Sequence, residues 1–179
     1  MYVWIGCKLP VDFEREVRAF CLEQNRDIGL NTVAFTLPQH ISLKISFEAQ
    51  MYASILEALA DYLSRQKPFA VRVQKPERMG NILWLPVAEN PQLQQLHMEL
   101  DARLESNFGV PQHPFDKAFM FHSTLFVDED TAKLSVMEKL LTANFADQEL
   151  TVDTFLLGLS ETGQPGTYRV AKTICLSEM

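Results

Sequence analysis

The chain is short of cysteine, glycine, proline and positive charge, and it has no long apolar run; each shortage closes off a class of protein. Among its 179 residues are 3 cysteines, 7 glycines and 9 prolines. Cys7, Cys21 and Cys175 form no CxxC pair and cannot all be bridged to one another, which excludes a disulfide framework and reads as reduced thiols filling the core of a cytoplasmic protein. No Ser/Gly linker or low-complexity stretch marks off a detachable module. Apolar stretches are broken by charge or Pro well short of the ~18 residues that a membrane span needs. Met1-Tyr2-Val3-Trp4 also lacks the basic region and apolar stretch of an export signal. No membrane partner is expected. The chain holds no GxxxxGK[ST] or GxGxxG phosphate loop, no GxSxG elbow, no HExxH and no clustered His/Asp set, so neither cofactor nor metal is called for. With 16 Lys and Arg against 23 Asp and Glu, the net charge of −7 repels a polyanion. Extended nucleic-acid binding is disfavoured, whereas a short phosphorylated ligand in a locally positive cleft remains compatible. A monomer is expected.

What the chain does have is a repeat. His40-Ile41-Ser42-Leu43 and His122-Ser123-Thr124-Leu125 share one design, lie 82 positions apart, and use two of only 4 histidines. The flanking pattern repeats with them. Residues 2–9 alternate as a half-buried strand ended by Pro10, and Asp12 can cap a helix to about Asn25 with Phe13, Val17, Phe20 and Cys21 on one stripe. The His40 strand, a helix near 49–65, and strands at 69–75 and 82–88 joined by a Pro76–Asn81 turn follow. Asn90 and Pro91 then open a helix to about Asn107. After it come the His122 strand, a helix near 131–144, a strand near 149–159, a turn at Gly163, Pro165 and Gly166, and a strand near 167–176. Pro10 precedes His40 by 30 residues and Pro91 precedes His122 by 31. An internal duplication accounts for this: an α+β fold in one domain, 1–179, with pseudo-symmetric lobes at about 1–88 and 89–179 that are open to strand exchange. Two antiparallel sheets would then wall a central cleft, with helices on the outside and both histidines facing one point.

On an extended strand His40, Ser42 and Lys44 share one face and Ile41, Leu43 and Ile45 the other; His122, Thr124 and Phe126 share a face in the second motif. With an unperturbed pKa near 6.5, imidazole suits a pair that puts a base on one side of a phosphorus centre and an acid on the other. The hydroxyls of Ser42 and Thr124 can donate to non-bridging phosphate oxygens. Which histidine is base and which acid stays open. Lys44 is either a phosphate contact or a snorkelling edge residue, and Trp4 and Trp84 are either base-stacking platforms or packing residues. His97 and His113 do not repeat and read as structural or surface residues.

The two H-x-[ST]-hydrophobic fragments in a duplicated pattern resemble the 2H (two-histidine) phosphoesterase superfamily, and the resemblance spans nearly the whole chain. It implies His40 and His122 as the catalytic pair, Ser42 and Thr124 as phosphate-binding hydroxyls, and metal-independent cleavage of a phosphodiester. The implied partner is a small nucleotide or short RNA end with a 2′,3′-cyclic phosphate or a 2′-5′ linkage. The first motif matches in full, including Pro38; in the second, Ser123 fills a slot where a larger apolar residue is common. Gly166-Thr167-Tyr168-Arg169-Val170 is similar to the family's final strand, which makes Tyr168 a candidate substrate contact. Lys44, Tyr168, Trp4, Trp84 and Phe126 complete the set of candidate substrate contacts. The alternative is a non-catalytic module of the same fold that captures a nucleotide or RNA end.

Overall fold

The computed structural model describes residues 1–176. Its element order writes the duplication out. Strand β1 (Tyr2–Lys8), helix α1 (Val11–Ile28), a 3₁₀ turn (Val33–Thr36), strand β2 (His40–Glu48), helix α2 (Tyr52–Ser64) and strand β3 (Phe69–Val73) make one pass. After the short strand β4 (Glu77–Met79), a second pass runs through strand β5 (Ile82–Pro86), helix α3 (Pro91–Phe108), a 3₁₀ turn (Pro114–Ala118), strand β6 (His122–Val127), helix α4 (Thr131–Asn144) and strand β7 (Gln148–Val152). Strands β8 (Thr154–Ser160) and β9 (Arg169–Cys175) close the chain's described part.

Local chemistry accounts for most boundaries. In both passes the long helix stops at a left-handed glycine, Gly29 at φ 73° and Gly109 at φ 66°, a conformation in which a Cβ would be strained. Asn90 caps α3 by accepting from the backbone N–H groups of Gln92 and Leu93, with Pro91 at the first helical position. The cap expected of Asp12 does not form: Pro10 holds the cap position, and Asp12 lies in the first turn, where it pairs with Arg15. Two strands also depart from the sequence reading. The Pro76–Asn81 segment contains β4, which pairs with β5 from Glu77↔Trp84 to Met79↔Ile82. The single strand expected near 149–159 is two strands in different sheets, parted at Asp153, whose carbonyl accepts from Leu176 N–H. Cys175 is exposed, unlike the buried Cys7 and Cys21.

The first sheet has the order β2-β1-β8-β9 and is antiparallel throughout. The second is built on β4-β5-β6, and β3, paired with β7, joins it where Gln74 N–H donates to Pro86 O and Ala88 N–H to Arg72 O. Thus β3 leaves the first pass for the second sheet, while β8 and β9 return to the first. One continuous apolar core, including Ile5, Leu43, Leu83, Leu100, Leu125 and Leu157, runs through both sheets and the helices. No helix of the described residues is long and apolar enough to cross a membrane.

Candidate active site

Both motif strands carry the same irregularity. Lys8 and Gly6 of β1 lie opposite His40 and Ser42, but the next partner, Ile5, lies opposite Lys44, so Leu43 is an extra residue. In β6, Pro86 and Trp84 lie opposite His122 and Thr124, the next partner, Leu83, lies opposite Phe126, and Leu125 is extra. A bulge one residue past each hydroxyl breaks the alternation, so Leu43 and Lys44 are both buried, as are Leu125 and Phe126. Two sequence expectations are corrected by this. Phe126 is wholly buried and packs edge-on against Phe35 in the core rather than facing a ligand. Lys44 is 2% exposed, with Nζ at 2.5 Å from Asp101 and 2.8 Å from Asp116, so its ammonium is committed to two carboxylates and not free for phosphate.

The histidines are held in matching ways. His40 Nδ1 lies 2.7 Å from the carbonyl of Pro38, and His122 Nδ1 lies 2.7 Å from the carbonyl of Met120. A carbonyl only accepts, so each Nδ1 carries the proton and Nε2 is left as the basic nitrogen of the neutral ring. A tryptophan then packs on each ring with centroids 4.2 Å apart, Trp4 on His40 and Trp84 on His122. The two indoles sit at different registers. Trp84 lies opposite Thr124, the place that Gly6 takes opposite Ser42, and Trp4 is two residues further along β1. Both are buried; Trp84 does not line the cleft, whereas Trp4 contributes part of its wall as well as packing on His40. Trp4 fits because its neighbours lack side chains: a Cβ on Gly158 would lie 2.5 Å from its ring, and one on Gly6 2.7 Å.

Trp4 Nε1 donates to Ser42 Oγ at 3.2 Å, which leaves the serine's own hydroxyl proton available to a ligand. Trp84 Nε1 donates instead to Glu77 at 3.2 Å. A cavity of about 320 Å³ brings together Trp4, Leu37, His40, Ser42, Phe119, His122 and Tyr168, with Lys44, Ile45 and Ser46 along one side. Tyr168 therefore reaches the cleft, as its place before β9 predicts. Thr124 is half-buried on β6, and neither it nor Trp84 lines this cavity. Leu37 and Phe119 were missed. Each lies three residues before its histidine, so the repeat itself carried the signal.

Burial pushes the His40 imidazole down to about 4; the Pro38 carbonyl opposes this, and the nearby His122 adds to it. His122 is also pulled below its ordinary value by burial, against the Met120 carbonyl. Beneath the cleft, His97 Nδ1 meets Leu43 O at 2.7 Å and Nε2 meets Asp116 O at 2.9 Å, a structural role. His113 caps the second 3₁₀ turn by accepting from Phe115 N–H, while Asp116 accepts from His113 N–H. Burial works to raise Asp116, but Lys44 and the His113 N–H outweigh it and hold the carboxyl below its usual range. Among the described residues, His97, Asp101 and Asp116 are the one group whose donor atoms lie close enough to hold a metal ion, within 4.8 Å of one another. The Lys44 ammonium bonds both carboxylates and supplies the positive charge that a cation would bring.

Solved structures share this fold at low identity. A Thermus thermophilus protein aligns with a TM-score of 0.69 at 19% identity, over 98% of this chain and 97% of its own. A phosphoesterase aligns with a TM-score of 0.63 at 19% identity, over 99% of both chains. E. coli LigT, solved with 3′-AMP, aligns with a TM-score of 0.61 at 18% identity, over 98% of both chains. Comparison with curated proteins gives no match. The sequence profile of the 2′-5′ RNA ligase superfamily matches residues 12–164, a span that holds both histidine motifs, both bulges and the two helical passes between them, and the chain belongs to that 2H phosphoesterase superfamily.

Proposed function

We propose that the chain is a metal-independent phosphodiesterase that opens a 2′,3′-cyclic phosphate or cleaves a 2′-5′ linkage on a small nucleotide or RNA end. The observation that carries this reading is the matched pair of imidazoles on one cleft, each with Nδ1 tied to a backbone carbonyl and Nε2 unbonded within the described residues. His40, the histidine held furthest toward the neutral form, takes a proton from the attacking water as its oxygen bonds to phosphorus. His122, protonated once the phosphate's negative charge is beside it, returns a proton from Nε2 to the departing ribose oxygen. Ser42, whose hydroxyl lines the cleft, donates to a non-bridging oxygen; Thr124 lies outside the cavity lining and contacts the phosphate only if the substrate extends past it toward β6. A cavity of about 320 Å³ suits a single nucleotide unit. Lys44 is already paired and the net charge is −7, which disfavours the grip on many phosphates that a long polyphosphate backbone needs.

Hydrolysis of a 2′,3′-cyclic mononucleotide and of a 2′-5′ oligoadenylate in EDTA tests the reading. Turnover is expected, with His40→Ala and His122→Ala each lowering kcat by ~10²–10⁴ while the fold is kept. Binding of these ligands with no turnover in the wild type would replace the enzyme with a capture module of the same fold.

A further inference from the structure

Gln39 immediately precedes His40, and Ser123 immediately follows His122. Both side chains are buried, at 2% and 1% exposure, and the Ser123 hydroxyl donates to Gln39 Oε1 at 2.9 Å. Among the described residues this is the only hydrogen bond that runs directly between β6 and the entry to β2. The backbone at each end is itself fixed: Leu9 N–H donates to Gln39 O at 2.9 Å, and Ser123 lies opposite Leu85 in β5. Each imidazole is tied to its own chain two residues upstream. The gap between the rings then depends on how far apart the two strands sit at this level, and the Gln39–Ser123 bond spans that distance.

We propose that Gln39 and Ser123 are positioning residues that set the separation of His40 and His122, an inference that rests on reading the pair as acid and base. Neighbouring residues of a strand point to opposite sides, so both act from behind the cleft and touch no substrate. A buried, directional bond between two short arms admits little play. An acid and a base that must meet one phosphorus centre are sensitive to it, since a misplacement of about 1 Å costs on the order of 10² in rate. The small hydroxyl at position 123 is therefore a working part of the second motif.

The test uses the full chain and a 2′,3′-cyclic mononucleotide. Ser123→Ala and Gln39→Leu are each expected to lower kcat ~10–100-fold with KM within ~3-fold. The double variant should fall no further than the worse single one, because both remove the same bond. Ser123→Thr, which keeps the hydroxyl, should retain most of the rate. Where a single variant folds poorly, Gln39→Leu with Ser123→Val replaces the polar pair by an apolar one and supplies a folded protein without the bond. A second readout needs no turnover: followed by NMR, His122→Ala should raise the His40 titration in the wild-type background, and by less when Ser123 is Ala. Unchanged kcat in folded variants, additive losses, or an unaltered coupling between the two titrations would overturn the proposal. A wild type that turns over no substrate would instead sink the acid–base reading, with the titration coupling still deciding the bridge.

Discussion

The protonation of two rings bears on stability and, in the proposed function, on the chemistry. Each Nδ1 faces a carbonyl, so Nε2 is the nitrogen at which each ring gains and loses a proton. On the proposed acid–base reading, turnover from the free protein draws on the form with His40 neutral and His122 charged; the first condition fails as pH drops through about 4, and the second fails above a value that burial has moved below 6.5, until bound phosphate raises it. The kcat/KM profile is therefore expected to be a bell with both limbs on the acid side of 6.5, while kcat, measured with phosphate bound, shifts alkaline. An alkaline limb well above 6.5 in kcat/KM would contradict it. Stability follows the same proton. Because the folded value of His40 lies below the unfolded one, its contribution is complete above pH 6.5 and is lost as pH falls toward 4. The loss amounts to roughly 3 kcal/mol. Urea midpoints of the wild type should drop across that window, and those of His40→Gln should drop by less. The indole behind His40 is a second residue-scale control. The Gly158→Ala methyl would meet Trp4 at 2.5 Å, with the Arg169 carbonyl at 3.2 Å blocking a simple shift. A cost of about 1–3 kcal/mol, a changed tryptophan emission and a reduced kcat are expected; emission and rate both unchanged would remove Trp4 from the site's support.

At the scale of elements, the bulges decide what each strand shows the cleft. Leu43 turns Lys44 inward, where it joins β2 to Asp101 on α3 and to Asp116 in the turn that precedes β6. Lys44→Met would leave two buried carboxylates without their cation, at a cost of about 3–5 kcal/mol in urea unfolding. Adding Asp101→Leu and Asp116→Asn should recover most of that, because uncharged side chains remove the uncompensated negative charge. If the single variant is as stable as the wild type, the cluster does not fasten β2. These bulges also mark where sequence reading runs out. That His40, Ser42 and His122 share one cleft was legible because residue type and spacing repeat between two short motifs, whereas Thr124, read from the same repeat, does not line the cavity. Lys44 and Phe126 were misplaced because a bulge depends on the partner strand's register, which is not written in the bulged strand. The division of 148–160 at Asp153 was hidden for a related reason: both pieces are apolar enough to read as one strand, and only their partners, β3 and β1, differ. Leu37 and Phe119 were within reach, since applying the repeat three positions upstream of each histidine finds both.

Over the whole molecule, the duplication does not yield two independent lobes, because the strands cross. β3 is made in the first pass but pairs with β7 over five residue pairs in the second sheet. β8 is made after the second pass but pairs with β1 from Tyr2↔Ser160 to Cys7↔Phe155 in the first. Cut between residues 88 and 89, the first fragment keeps β1 and β2 with one edge of β1 bare, and it carries β3 without β7, held only by its short join to residues 86–88; the second keeps β8 and β9 without β1 and β7 without β3. Each would expose core residues such as Ile5, Val71, Val152 and Leu157, all at 1% exposure or less in the intact chain. At about 25 cal/mol per Å² of apolar surface, a handful of such side chains equals the whole stability of a small domain. Separately expressed fragments 1–88 and 89–179 are therefore expected to lack cooperative folding by circular dichroism, and mixing them should restore it together with the His40–His122 cleft. The intact chain should unfold in one transition that far-ultraviolet dichroism and tryptophan emission report at the same midpoint, since Trp4 and Trp84 lie in different sheets. Two separated transitions, or a fragment that folds alone, would mean that the strand exchange does not couple the sheets. The distance between the two imidazoles would then rest on the local contacts of β2 and β6.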